Sequence, residues 1–448
     1  MKHTLTLLTA LLLAPLAALH AADAPKPTKP NLVIILADDL GYGDVGCYGS
    51  WIKTPNLDQL AREGTKFTDF HANGPVCSPT RCALVTGRYQ QRVGIGGVVK
   101  GSGDVGLKKS EFTFADALQP LGYTSAILGK WHLGSLPECN PVNHGFAEFR
   151  GLLGGRLDYF AHTDSGGPDW WDGLKPLVEK GYSTTLITDH AVDFIQRSKS
   201  RPFCLYVAYN AVHTPIQDPE TGASGKTADF FGKMVQAMDK GVGRIIAALK
   251  ENGLAENTFV FFFSDNGGYK GTEGSSNLPL HGFKGSFWEG GHREPGIAWW
   301  PGHIPAGKVT GQTAMSMDLM PTLLELAGAT LSPDRKPDGV SLAPLLLHDQ
   351  LLAPRKLFWN KGADSAMRDG PWKLLIESGT VHLFNLDNDL SEKIDLAARQ
   401  SERVKSMRAD IDAWAKEVNA PKPTKNDGTA AAETAKKKGK GKGKEKAE

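Results

Sequence analysis

Four unbroken apolar runs of strand length punctuate the chain: NLVIILADD (31–39), TSAILGKWH (124–132), PFCLYVAYNAVH (202–213) and TFVFFFSDNGG (258–268). None alternates between apolar and polar, and strands buried on both faces read that way. Between them lie amphipathic stretches with helix start and stop signals. TPNLDQLAREG places Thr54 at the cap, Pro55 at the first helical position and Gly64 beyond the end. SEFTFADALQPLG (110–122), STTLITDHAVDFIQRS (183–198) and FGKMVQAMDKGVGRIIAALKENG (231–253) are expected helices as well. This alternation predicts an α/β fold with a mostly parallel sheet.

Beyond MDLMPTLLELAG (317–328) the pattern changes. RKLFWN, SAMRDGPWKLLIE and TVHLFNLD look like short strands with turns, and SERVKSMRADIDAWAKEV reads as a final amphipathic helix. Four segments follow: a signal at 1–22, a catalytic α/β domain at 23–340, a small α+β subdomain at 341–420 and a disordered Lys/Gly-rich tail at 421–448.

The 448 residues carry 51 Lys and Arg against 49 Asp and Glu, a formal charge of +2 that points to no nucleic-acid partner. The tail holds nine of the lysines and four of the acids. The first 22 residues, with a charged start, a Leu/Ala-rich run and small residues at the end, read as a secretory signal. No later stretch approaches transmembrane length, so the expectation is an exported protein, periplasmic or secreted, without stable membrane insertion. Five cysteines cannot all pair within one chain.

Ligands of an open parallel sheet bind at the carboxyl ends of its strands. Here those ends carry Asp38 and Asp39, then Lys130 and His132, then His213, then Asp265 and Asn266. Three carboxylates and one amide offer only oxygen, which suits a hard divalent cation such as Ca²⁺ or Mg²⁺. Lys130 and His132 stand two apart, so in an extended segment they share a face. Lys284 and Arg293 lie in the Gly-rich HGFKGSFWEGGHREPGIAWWPG. A metal, several cations and two histidines suit cleavage of a tetrahedral oxyanion ester, the histidines serving as acid and base. Cys77, in PVCSPTRCALVTG, is expected at a helix N-terminus with Arg81 one turn on, a setting that favours a thiolate.

CSPTRCALVTG (77–87) resembles the Cys-x-Pro-x-Arg core of the type I sulfatases, in the alkaline phosphatase superfamily. ADDLGYGDVGCYG, GYTSAILGKWHLG, FFFSDNGG, EGGHREPGIAWWPG, DLMPTLLELAG and LFNLDNDLSEKIDLA follow in that family's order over nearly the whole mature chain. The resemblance implies a large mixed sheet sandwiched by helices, with a small C-terminal subdomain. It implies that a maturase oxidises Cys77 to Cα-formylglycine, whose hydrate attacks sulfur through one hydroxyl and expels sulfate through the other. By the same resemblance Asp38, Asp39, Asp265, Asn266 and modified Cys77 hold Ca²⁺. Arg81 and Lys130 hold the formylglycine, His132 is the base for elimination, and His213 is the acid for the leaving alcohol. Lys130, His213, Lys284 and Arg293 contact the substrate, an aryl or carbohydrate sulfate.

Val212 and Glu294 depart from the family's usual Pro and Val. The alternatives are a phosphodiesterase or phosphonate monoester hydrolase of the same superfamily, and a non-catalytic secreted binding protein. The irregular, Gly- and Trp-rich stretch 151–176 is expected to line the pocket, with Trp170 and Trp171 as stacking surfaces. Cys82 is expected to be a buried small residue on the helix after the motif.

Overall fold

The apolar run at 31–37 forms a central strand of an eleven-stranded sheet. In chain order the main strands of that sheet are Asn31–Ala37 (β1), Thr65–His71 (β2), Thr124–Lys130 (β3), Glu148–Leu152 (β4), Phe203–Ala208 (β5), Thr258–Ser264 (β6) and Arg293–Trp299 (β7). They lie side by side in the order β2, β7, β6, β1, β5, β3, β4. From β6 through β4 all neighbours are parallel, while β7 runs antiparallel to both β6 and β2. The sheet is mixed and mostly parallel, as expected. The description covers residues 29–100, 106–331 and 333–420 of a computed structural model. The expected signal at 1–22 and tail at 421–448 lie outside those residues.

Each face of the sheet carries its own core, which is why the strand sequences do not alternate. Leu32, Ile34 and Leu36 pack with Leu84 and Val85 of helix Cys77–Thr86 (α1) and with Leu319 and Leu323 of helix Leu319–Ala327 (α2). Val33, Ile35 and Ala37 face the other way, toward helices Pro55–Glu63, Ser183–Ser198 and Ala228–Glu251. All of these strand residues are fully buried. Each large aliphatic one contributes about 1.5–3 kcal/mol relative to exposure.

Local expectations needed adjustment at the caps. Thr54 does precede its helix, but its hydroxyl accepts Gly46 N–H at 2.8 Å and makes no cap bond. Gly64 is required by close approach: a Cβ there would stand 2.1 Å from the Ala298 carbonyl oxygen. The segment 110–122 yields only a short helix, Phe114–Leu118, capped by Thr113, before Pro120 tightens the chain into a 3₁₀ turn.

A second sheet of four antiparallel strands, Lys356–Lys361, Asp364–Asp369, Trp372–Glu377 and Thr380–Asn385, packs against helix Ser401–Glu417. Leu342, Leu345 and Leu346, grouped by sequence with this subdomain, instead pack into the core on the α1 side of the main sheet. No described helix is long and apolar enough to cross a membrane.

Candidate active site

Strand register assembles the site. Ala37 is level with Ser264, Leu36 with Ala208, and Ala208 with Gly129. The residues that follow, Asp38 and Asp39, Asp265 and Asn266, and Lys130 ending β3, therefore emerge at the same end of the sheet, the first two pairs from neighbouring strands and Lys130 from across β5. His213 arrives by a loop tied to the same place, since Asp38 N–H donates to Ala211 O at 2.9 Å and Val212 N–H to Asp38 O at 2.6 Å. The Ala211–Val212 and Thr214–Pro215 peptides on either side are cis.

Cys77 is the first residue of α1, and its Sγ lies 3.6 Å from Asp38 Oδ1 and 3.7 Å from Lys284 Nζ. One turn on, the Arg81 guanidinium donates to Asp265 Oδ2 through Nε at 2.9 Å and to the Lys130 carbonyl at 2.8 Å. Lys130 Nζ lies 2.5 Å from Asp38 Oδ2, and Lys284 Nζ 2.6 Å from Asp39 Oδ1. His213 Nε2 faces Asp39 Oδ2 at 3.7 Å, while its Nδ1 is 2.7 Å from the Thr214 carbonyl. Ligand atoms of Asp38, Asp39, Cys77 and His213 all lie within 4.8 Å of one another.

The electrostatics follow from burial set against mutual charge. Burial opposes ionisation of Asp38, but Lys130, His213, Arg81 and Lys284 outweigh it and hold the carboxyl well below the usual range. Asp265 is pushed up to about 6 by burial and by the Asp38 charge. The expected thiolate at Cys77 does not form: burial pushes the thiol up to about 12 despite Lys130 and Lys284. Desolvation of the anion exceeds what the helix terminus and two lysines return.

A divalent cation fits this donor set. Asn266 Nδ2 donates to Asp39 Oδ1 at 2.8 Å and to Gly267 O, whereas its Oδ1 is buried without a hydrogen-bond partner. A free amide oxygen beside Asp38, Asp39 and Asp265 is an all-oxygen cradle of the kind a hard cation takes.

His132 reaches the site differently from the expectation. Strand β3 ends at Lys130, and His132 has left-handed backbone (φ 58°), so the two are not alternate residues of one extended segment. Its Nε2 is 3.1 Å from the Val99 carbonyl, and its Nδ1 is buried without a partner. Burial, then Lys130 and Arg81, hold the ring neutral. Asp39 shares the left-handed conformation (φ 61°), which costs a non-glycine residue on the order of 1 kcal/mol.

Arg293, expected to contact substrate, is placed elsewhere. Its guanidinium bonds Thr68 O at 2.6 and 2.8 Å and pairs with Asp69 and Glu289, at the seam with the C-terminal sheet. Trp170 is likewise no stacking surface: it is buried, stacked on His162, with Nε1 donating to Glu179. Trp171 is half-buried, and its Nε1 donates to Asp169 Oδ1 at 2.7 Å. The stretch 151–176 contains the end of β4 and four two-residue strands, and is more regular than its composition suggested. Glu294 is fully buried, with neither carboxylate oxygen hydrogen-bonded, and burial with Asp265, Asp39 and Asp44 nearby holds it protonated. The five cysteines form no disulfide, and Cys82 is buried as expected.

Sequence reasoning missed several residues that shape the site. The Tyr159 hydroxyl sits 2.7 Å from Asn210 O and 2.8 Å from His213 O, bracing the His213 loop. Asp169 accepts Leu153 and Gly154 N–H at 3.0 and 2.7 Å, fixing the loop beside His132. At Gly155 a Cβ would stand 2.6 Å from the His132 ring. The glycines of LLGGR were the only signal available, since the partners are far apart in sequence.

The Sulfatase family model matches residues 30–329. N-acetylgalactosamine-6-sulfatase of Mus musculus is 39% identical over 370 residues, covering 77% of this chain and 71% of that protein. Arylsulfatase A of Bos taurus is 38% identical over 405 residues, covering 81% and 78%. Among solved structures, Ps i-CgsB in complex with k-i-k-neocarrahexaose superposes with a TM-score of 0.82 at 33% identity, covering 90% of this chain and 96% of that one. With the strand-end residues already brought together by the sheet, these likenesses make the chain a member of the sulfatase family, a sulfuric ester hydrolase.

Proposed function

We propose that this sulfatase releases sulfate from a sulfated carbohydrate, using Cys77 in its Cα-formylglycine form beside a bound Ca²⁺. The observation that carries the reading is the convergence of Asp38, Asp39, Cys77 and His213 ligand atoms within 4.8 Å. The carbohydrate class is supported by the relatives, one named for N-acetylgalactosamine 6-sulfate and one complexed with a neocarrahexaose.

Asp38, Asp39, Asp265 and Asn266 would hold the cation, which supplies Lewis-acid charge to a sulfate oxygen. The Cys77 sulfur marks where the oxygens of a hydrated formylglycine would stand, one to attack sulfur and one to expel sulfate afterwards. Lys130 and Arg81, anchored on Asp38 and Asp265, keep positive charge beside that position and favour the alkoxide. Lys284, now on Asp39 and near Cys77 Sγ, would donate to a sulfate oxygen. His213 has its Nδ1–H turned to Thr214 O, leaving Nε2 on the site side for the leaving alcohol. Burial lowers its basicity, and an incoming sulfate ester would favour the protonated ring. His132 presents the free Nδ1 lone pair as base for elimination. The 1–22 signal would direct export, and a formylglycine-generating enzyme would mature Cys77.

Mass spectrometry of the Cys77 peptide, after expression with a maturase, is expected to show the aldehyde. The same preparation should release sulfate from sulfated mono- or oligosaccharides. Cys77→Ala should lower turnover by at least ~10³-fold without loss of fold. An unmodified thiol in a fully active enzyme would sink the proposal.

A further inference from the structure

Among the described residues of the site, His132 carries the one imidazole nitrogen that is buried and unpartnered, and what holds it that way is a short strap the sequence does not flag. Its Nε2 lies 3.1 Å from the Val99 carbonyl, so the Nε2–H tautomer is the one that satisfies that contact, with the lone pair on Nδ1. Val99 is in turn held from its other side: its N–H donates to Ser78 Oγ at 3.0 Å. Ser78 is fully buried and directly follows Cys77 on α1. Gly155 crowds the same edge of the ring, where even a Cβ would stand 2.6 Å from both Cε1 and Nε2 of His132. The Nε2 edge of the ring is thus held by a carbonyl whose position is set by Ser78, with the bare Gly155 backbone packed close beside it.

We infer that Ser78 is a positioning residue for the proton acceptor: through Val99 it locks His132 as the Nε2–H tautomer and leaves the Nδ1 lone pair free. One helix start then orders both partners of the elimination step, the residue that carries the oxygens through Cys77 and the residue that takes the proton through Ser78. The inference rests on the proposed role of His132 as base. Losing the strap frees the ring to populate the other tautomer, whose Nδ1 already bears hydrogen and cannot accept one.

The test uses matured full-length enzyme labelled with ¹⁵N-histidine, with His132 assigned by comparison with His132→Gln. Wild type is expected to show a single tautomer with Nε2 protonated and Nδ1 bare. In Ser78→Ala the His132 signals should become those of a tautomer mixture. Its kcat, normalised to the formylglycine content of the Cys77 peptide, should fall about tenfold with KM unchanged within about twofold. Ser78→Thr, which keeps the hydroxyl, should retain the wild-type tautomer. A protonated Nδ1 in wild type, or a Ser78→Ala enzyme with the single tautomer and full kcat, overturns the inference. The base role is read separately: undiminished kcat in His132→Gln would remove that role while leaving the tautomer result to stand or fall by itself.

Discussion

At the scale of single residues, the site is a contest between desolvation and charge. Asp38 stays ionised because four cationic or imidazole groups surround it, whereas Cys77 keeps its proton because two lysines cannot offset full burial. A buried, protonated thiol is a poor nucleophile, which agrees with the proposed conversion of Cys77 to formylglycine. His213 gives a sharp test at this scale. If its Nε2 protonates the departing alcohol, His213→Gln should lower kcat about 10²-fold on a carbohydrate sulfate, whose alkoxide leaves badly. On p-nitrophenyl sulfate, whose phenolate needs no proton, the loss should be far smaller. Equal losses on the two substrates would show that His213 acts by some other means. The roles expected of Arg293 and Trp170 dissolved for a common reason: a long side chain can turn to any neighbour its backbone offers, and here Asp69 and Glu179 claimed them.

At the scale of elements, the C-terminal sheet is joined to the main one through buried charge. Lys373 of strand Trp372–Glu377 pairs with Glu289 at 2.9 Å and Glu392 at 2.7 Å, and Arg368 with Asp69 at 3.3 Å. His71 and His292 lie tilted beside Trp359 with their Nδ1 atoms 3.0 Å apart, and the chain 281–292 that ends at His292 carries Lys284. Burial lowers the pKa of both rings, that of His292 well below its ordinary value, with Lys373 adding to the effect. A histidine whose folded pKa is depressed binds fewer protons than its unfolded counterpart, so its stability contribution is complete above about 6.5 and is lost as pH falls below that. Each ring should therefore remove up to about 1.4 kcal/mol of stability per pH unit below that point. Glu392, raised to about 7 by burial, acts with the opposite sign between its unfolded value and 7, so the contrast between variants is the useful readout. Denaturant midpoints taken from pH 7.5 to 5.0 should fall less steeply in His292→Gln than in wild type. Parallel slopes would mean that the ring titrates freely in the native fold.

Across the whole molecule, one sheet brings four strand ends to one site, two of which carry the carboxylates proposed to hold the cation. Three carboxylates so close are tolerated without metal only because Arg81, Lys130 and Lys284 lie among them. Adding Ca²⁺ should therefore both activate and stabilise. Chelation is expected to abolish sulfate release and to lower the thermal midpoint, and Ca²⁺ at 100 times its Kd should restore about 2.7 kcal/mol of stability. Zn²⁺ should substitute poorly in an all-oxygen cradle. A chelated enzyme with unchanged midpoint and turnover would refute the metal assignment.

Much of this was legible in the sequence because parallel strands buried on both faces leave unmistakable runs, and because polar residues at their ends have few structural reasons to cluster. The flanking strands were not legible. Thr65–His71 mixes polar and aromatic residues, and Arg293–Trp299 contains Pro295 and Gly296 and is irregularly paired with its neighbour, so neither reads as a strand alone. The chain by itself determined which residue types stand at the ends of the apolar runs, since hydrophobic patterning and motif spacing are local properties. Only the tertiary structure decided which of them meet, that Arg293 faces a different charge cluster, that His132 shows Nδ1 rather than Nε2, and that Ser78, Val99 and Gly155 hold it so. Those outcomes depend on register between strands more than two hundred residues apart and on side-chain contacts across the sheet, neither of which leaves a periodic trace in the order of residues.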